Sequence, residues 1–252
     1  MFKPKTEKIE NIAESNQGTV ERLDELFGKS ARVYIDYANV RPWSTKLGWH
    51  IEIRRLKQFL NSFDTIEDKG ISFYNGYLAG DERSEKEKTE AEDCGYILRT
   101  KPVKIMKFSI DASSIPSDST ALLNPFVRRA LLRKYEVSTV EYLNQRFADM
   151  NRKGEYYIED RKCNFDVEIG TDMLLDAERN NAEVFVLWSG DSDFADSLMR
   201  LLKMGKKVVL CATAGRISSE LNALRKEGLK IFDIFHAKDF ICWKTEIGKK
   251  TK

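Results

Sequence analysis

Residues 184–194 read Val184-Phe185-Val186-Leu187-Trp188-Ser189-Gly190-Asp191-Ser192-Asp193-Phe194. The apolar run predicts a strand over 183–189. The turn behind it carries two carboxylates and opens a helix over 193–204, which Gly205 stops. A strand that runs into a helix in this way is one half of a βα unit, and the same rhythm extends in both directions. Downstream, Lys207–Cys211 reads as a strand, 217–226 as a helix and 228–233 as a last strand, while 165–179 just upstream reads as a helix. Near the start, Ala31–Asp36 is a short β-rich run that ends on a carboxylate. A turn at 37–42, a helix over His50–Phe63, a strand over Gly70–Leu78, a charged helix over Glu82–Leu98 and a third strand over Val103–Phe108 follow. Strands that alternate with helices predict an α/β domain, a parallel sheet with helices on its faces.

The rhythm breaks between about 110 and 160, where Ser, Pro and Asp give way to a long helical stretch from Pro125 onward and then to a short arm at 155–162. We read this stretch as an insertion into one core domain of residues 31–240. A polar, mobile lead-in of residues 1–30 precedes it, with a short helix over 19–27. A basic tail of residues 241–252 follows.

Composition narrows the chemistry. The chain has 252 residues, 42 Lys and Arg against 40 Asp and Glu, and only two histidines, His50 and His236. Near-neutral charge excludes a polybasic nucleic-acid coat but leaves room for separated patches. Two distant histidines exclude a His-rich zinc site. The four cysteines, Cys94, Cys163, Cys211 and Cys242, form no Cys-x-x-Cys pair and read as reduced, mostly buried thiols. No stretch approaches the ~20 apolar residues of a membrane span, and the polar N-terminus does not resemble a signal peptide. A cytoplasmic protein without a membrane partner is expected. Neither a P-loop nor a Gly-x-Gly-x-x-Gly turn occurs, so no nucleotide cofactor is expected.

In open α/β sheets the reactive crevice lies outside the carboxyl ends of the strands. Asp36 ends the first strand, Asp191 and Asp193 follow the strand at 183–189, and Asp166 opens a helix, so four acids from three segments are placed to converge. Each like-charged pair at ~4 Å costs about 4 kcal/mol at an effective dielectric near 20. Such a cluster persists if some members protonate or a cation compensates. A hard divalent ion, Mg²⁺ or Mn²⁺, takes oxygen ligands and needs no histidine. The alternative is ordinary capping, since Asp and Ser are favoured at helix starts and in turns.

Three segments resemble signatures of one family, the NYN domains of the PIN-like nuclease fold. They are Tyr34-Ile35-Asp36-Tyr37-Ala38-Asn39, then Lys162-Cys163-Asn164-Phe165-Asp166-Val167 with the later Asp172, and Ser189-Gly190-Asp191-Ser192-Asp193-Phe194. The LabA-like branch is the nearest match. The resemblance spans about 31–109 and 161–235. It implies a Rossmann-like, three-layer α/β/α fold and a ribonuclease dependent on Mg²⁺ or Mn²⁺. It further implies that Asp36, Asp166, Asp191 and Asp193 form the catalytic, metal-binding set, with Asn39 and Ser189 as polar helpers near the metal or the scissile phosphate.

The partner expected on this reading is RNA, single-stranded or structured, and a homo-oligomer is left open. On the inserted helix Arg128, Arg129 and Arg133 are placed to track phosphates, with Tyr135 and Tyr142 as stacking surfaces, or the helix is simply solvated. Arg41, Trp43 and Trp49 either line the substrate groove near Asn39 or pack beneath a loop. The helix start at 217–219 either holds a phosphate on its backbone amides or is simply capped by Ser218 or Ser219. The rival functions are a catalytically weak module that binds RNA or a protein, and a phosphatase with Asp36 as nucleophile. Against the latter, residue 38 is Ala where a haloacid-dehalogenase type of site needs Asp.

Overall fold

The computed structural model describes residues 1–116, 118–123, 135–213 and 217–242. The elements, in chain order, begin with α1 (Glu7–Ser15) and α2 (Gln17–Phe27), then β1 (Ala31–Asp36), α3 (Tyr37–Val40), α4 (Trp43–Leu47) and α5 (Ile53–Leu60). β2 (Ile66–Tyr77), α6 (Glu82–Asp93), β3 (Ile97–Pro102) and β4 (Lys104–Ser109) come next, then α7 (Val137–Arg152) and β5 (Tyr157–Lys162). The chain continues through α8 (Asp166–Glu178), β6 (Val184–Trp188), α9 (Ala195–Lys203), β7 (Lys207–Ala212), α10 (Ser219–Ala223), β8 (Lys230–Asp233) and α11 (Lys238–Ile241).

Two compact units emerge. One comprises Met1–Pro102 together with the residues from Cys163 onward; the other is Val103–Lys162. The first is built on a six-stranded sheet in the order β3-β2-β1-β6-β7-β8, with every pair parallel. The chain winds outward from β1 in one direction and from β6 in the other, so the order reverses between them. That switch point opens a crevice at the carboxyl ends of β1 and β6.

Side-chain alternation shows helices on both faces. Tyr74 on β2 donates its phenol to Asp172 of α8, and Tyr34 on β1 donates to Asp176 one helical turn further on, both at 2.7 Å. The next residue of β2, Asn75, points to the opposite face and donates to Glu87 of α6. All five residues of β6 are buried, as a central parallel strand requires. The result is a three-layer α/β/α domain.

Several expectations are corrected. The lead-in is ordered: Thr6 caps α1, Ile9 is buried, and the Phe2 ring meets Phe63 edge-on at 5.0 Å. The turn at 37–42 contains the short helix α3. The helix from Glu82 ends at Asp93, because Gly95 adopts a left-handed φ of 74°. Ile97 and Leu98 therefore belong to β3, the third strand of the sheet. The stretch expected to supply that strand, Val103–Phe108, forms β4 instead and pairs antiparallel with β5. Of the two readings of Trp43 and Trp49, packing is the one that holds, for they are 2% and 1% exposed.

In the second unit, Ile110, Ala112, Leu122, Val140 and Phe147 form a separate small core. Arg128, Arg129 and Arg133 lie outside the described residues, as does the tail from 243. Among the described residues, no helix is long and apolar enough to cross a membrane.

Candidate metal centre

Of the four expected acids, Asp166, Asp191 and Asp193 bring carboxylate oxygens together, while Asp36 lies outside that group and acts on Asp166 and Asp191 only by charge and through Ser189. Asp36, the last residue of β1, is 4% exposed. Its Oδ1 accepts the backbone N–H of Asn39 at 3.3 Å, and its Oδ2 accepts the Ser189 hydroxyl at 3.1 Å. That hydroxyl in turn accepts the N–H of Asp191 at 3.3 Å, so one buried serine ties the end of β1 to the turn after β6. Asn39 makes a second tie, its Oδ1 accepting the Gly190 N–H at 3.1 Å. Both polar helpers are thus braces between the two segments, and Ser189 has no exposed surface.

Beyond these braces, Asp191 caps the short 3₁₀ turn Ser192–Phe194 by accepting the Asp193 N–H at 3.2 Å. Asp166 starts α8, and its own N–H is held by Asn164 Oδ1 at 2.8 Å. This local Asx turn is visible in sequence only as an Asn two residues before a helix-opening Asp. Asp166, Asp191 and Asp193 bring one carboxylate oxygen each to within 4.8 Å of one another. The later acid, Asp172, does not join them, because it is occupied by Tyr74 and faces Arg99 at 3.9 Å.

Electrostatics mark the cluster as undercompensated. Burial pushes the Asp36 carboxyl up from its ordinary 3.8 to about 6. The bonds from Ser189 and Asn39 pull it down, and repulsion from Asp166 and Asp191 adds to the rise. Asp166 is likewise raised to about 6, first by burial and then by Asp191 and Asp193, against the bond with Asn164. Asp166 Oδ2 is buried and has no hydrogen-bond partner. A buried carboxylate oxygen without a donor is costly unless something positive meets it. The set therefore fits a small hard cation, for which three carboxylates and no nitrogen or sulfur donor are suitable ligands.

Beside this cluster, the Ser218 N–H donates to the Gly190 carbonyl at 3.3 Å, and its hydroxyl accepts the Leu221 N–H at 3.2 Å as a helix cap. Sequence reasoning missed two cations of the sheet that face α8, Arg99 and Lys101. They fell in the connecting segment between the helix expected over Glu82–Leu98 and the strand expected from Val103, and only their place on β3 brings them to α8, where Lys101 meets Glu168 at 2.5 Å.

Comparison with known proteins adds a family. The NYN domain family model matches residues 30–228. No curated protein matches the chain. Among solved structures, VPA0982, a protein of unknown function from Vibrio parahaemolyticus, is similar with a TM-score of 0.48 at 14% identity. The match covers 85% of this chain and 96% of that one.

Proposed function

The chain belongs to the NYN domain family, and we propose that it is a metal-dependent ribonuclease that hydrolyses RNA phosphodiester bonds at Asp36, Asp166, Asp191 and Asp193. One observation carries the metal-dependent part: the buried, unpartnered Asp166 Oδ2 beside two further carboxylates. Asp166, Asp191 and Asp193 would hold Mg²⁺ or Mn²⁺. Such an ion supplies Lewis-acid polarisation of a phosphodiester and lowers the pKa of an attacking water.

The chain's own residues prepare that chemistry. Asn39 and Ser189 act as positioning residues, fixing the β1 end against the β6 turn so that Asp36 and Asp191 keep their separation. Asn164 orients the first turn of α8 and with it the Asp166 carboxylate. Asp36 sets a second, deeper negative charge behind the triad, and its raised pKa makes that charge sensitive to pH. Four free cysteines support a reducing, cytoplasmic setting.

The test is cleavage of a labelled RNA by the wild type with Mg²⁺ or Mn²⁺, in EDTA, and by Asp36→Asn and Asp193→Asn. The reading expects activity only in wild type with metal. Undiminished activity in EDTA or in both variants overturns it. Tight RNA binding without cleavage under any divalent ion would instead establish the chain as a binding module.

A further inference from the structure

The sheet face that receives α8 is only partly covered. Alternation and register place Tyr34 and Asp36 of β1, Tyr74 of β2 and Arg99 of β3 on that face. α8 is anchored over β1 and β2 through Asp176 and Asp172. Between α8 and the edge strand β3 a groove of about 600 Å³ remains, lined by Tyr74, Arg99, Lys101, Phe165, Val167 and Asp172 among others. This volume falls within the range of sites that hold a small organic group. Two of its lining residues, Phe165 and Val167, flank Asp166 of the acidic cluster in the chain.

Its walls differ in chemistry. The β3 side is cationic. Lys101 lies 4.5 Å from the centroid of the Phe165 ring and pairs with Glu168. The Arg99 side chain is 58% exposed, and its ion pair with Asp172 is long, 3.9 Å. A guanidinium held this loosely can turn its donors to a phosphate at little cost. The α8 side sets Glu168 and Asp172 opposite these cations and, between them and the helix start, Val167, which is 78% exposed. An exposed β-branched residue is not explained by packing of the helix.

We infer that this groove is the subsite for the nucleotide next to the scissile phosphate of a single-stranded RNA. Its base lies against Val167 and its outer phosphate on Arg99, with Lys101 beside it. The inference rests on the ribonuclease reading for the word scissile, but the groove's binding of RNA is separately measurable. Cations that track phosphates beside an exposed apolar residue are the combination that single strands require, once a phosphate replaces Asp172 on the loosely held Arg99.

The test compares wild type with Arg99→Gln, Val167→Ser and a control, Arg200→Gln, whose side chain is exposed on α9. Cleavage of a short fluorescein-labelled single-stranded RNA with Mn²⁺ gives KM and kcat, and fluorescence anisotropy gives RNA affinity. We expect KM to rise about tenfold in Arg99→Gln and about threefold in Val167→Ser, with kcat, melting temperature and Mn²⁺ affinity unchanged. Arg200→Gln should match wild type. Wild-type KM and affinity in both groove variants overturn the inference. If wild type cleaves nothing yet binds RNA, and the groove variants bind it more weakly, the nuclease reading falls and the groove assignment stands.

Discussion

Replacing Asp36 by Asn removes a charge that the fold buries without full compensation. Raising its carboxyl from 3.8 to about 6 corresponds to about 3 kcal/mol against the ionised, folded state. The folded protein holds this proton more tightly than the unfolded chain. The group's contribution to stability is therefore fully present below about pH 4, is lost as the pH rises to about 6, and is flat above. Asn keeps an acceptor for the Asn39 N–H but presents an amide where the Ser189 hydroxyl now donates to Oδ2, which costs about 1 kcal/mol. In EDTA at pH 7.5 the variant should thus be more stable than wild type by about 2 kcal/mol, or roughly 4–8 °C in Tm for a chain of this size. Near pH 4 it should be less stable by about 1 kcal/mol. Urea unfolding of both proteins in EDTA at the two pH values checks this. A difference that does not change with pH would refute the claim that Asp36 carries an uncompensated buried charge, and with it the need for a cation nearby.

Three further outcomes are expected. Mn²⁺ affinity, measured by isothermal titration calorimetry, should fall about tenfold between pH 7.5 and 5, because Asp166 at about 6 becomes protonated and must lose that proton to act as a ligand; a flat profile would contradict this. Tyr34→Phe removes a phenol that donates to Asp176 at 2.7 Å and should cost about 1–2 kcal/mol in urea unfolding, with Arg32 and Asn181 still holding the carboxylate. A Cβ at Gly170 would lie 2.6 Å from Ser197 Oγ, where α8 meets α9. Gly170→Ala alone should gain little stability, whereas Gly170→Ala with Ser197→Ala should gain about 1 kcal/mol from helix propensity. Equal gains in both would show that the serine does not oppose the added methyl.

The strands that position the site were legible because their patterns are unambiguous. Ala31–Asp36 is β1 to the residue, and 184–188 is an all-apolar run of the kind only a central strand tolerates. The acids at their ends followed from the rule for switch points. The edge of the sheet was not legible. Tyr96, Ile97 and Leu98 continue the spacing of the preceding helix, and only the left-handed turn at Gly95 separates them from it. The β-rich 103–108 stretch then looked like the strand they had displaced, although its partner is 157–162, some fifty residues on. The N-terminal helix is polar overall, and its role shows only through single contacts such as Ile9 and Phe2. Asp172 matched a family signature but is held by a tyrosine from a strand almost a hundred residues earlier, a pairing that no local spacing encodes.

Asp166 at the start of α8 and Asp191 and Asp193 behind β6 are proposed to form a metal centre. Crystals of the wild-type protein soaked in Mn²⁺ and measured near the manganese absorption edge test it most directly. An anomalous peak is expected within coordination distance of Asp166, Asp191 and Asp193, absent from crystals of Asp193→Asn. No peak among these carboxylates at millimolar Mn²⁺, or a peak that persists in the variant, would contradict it.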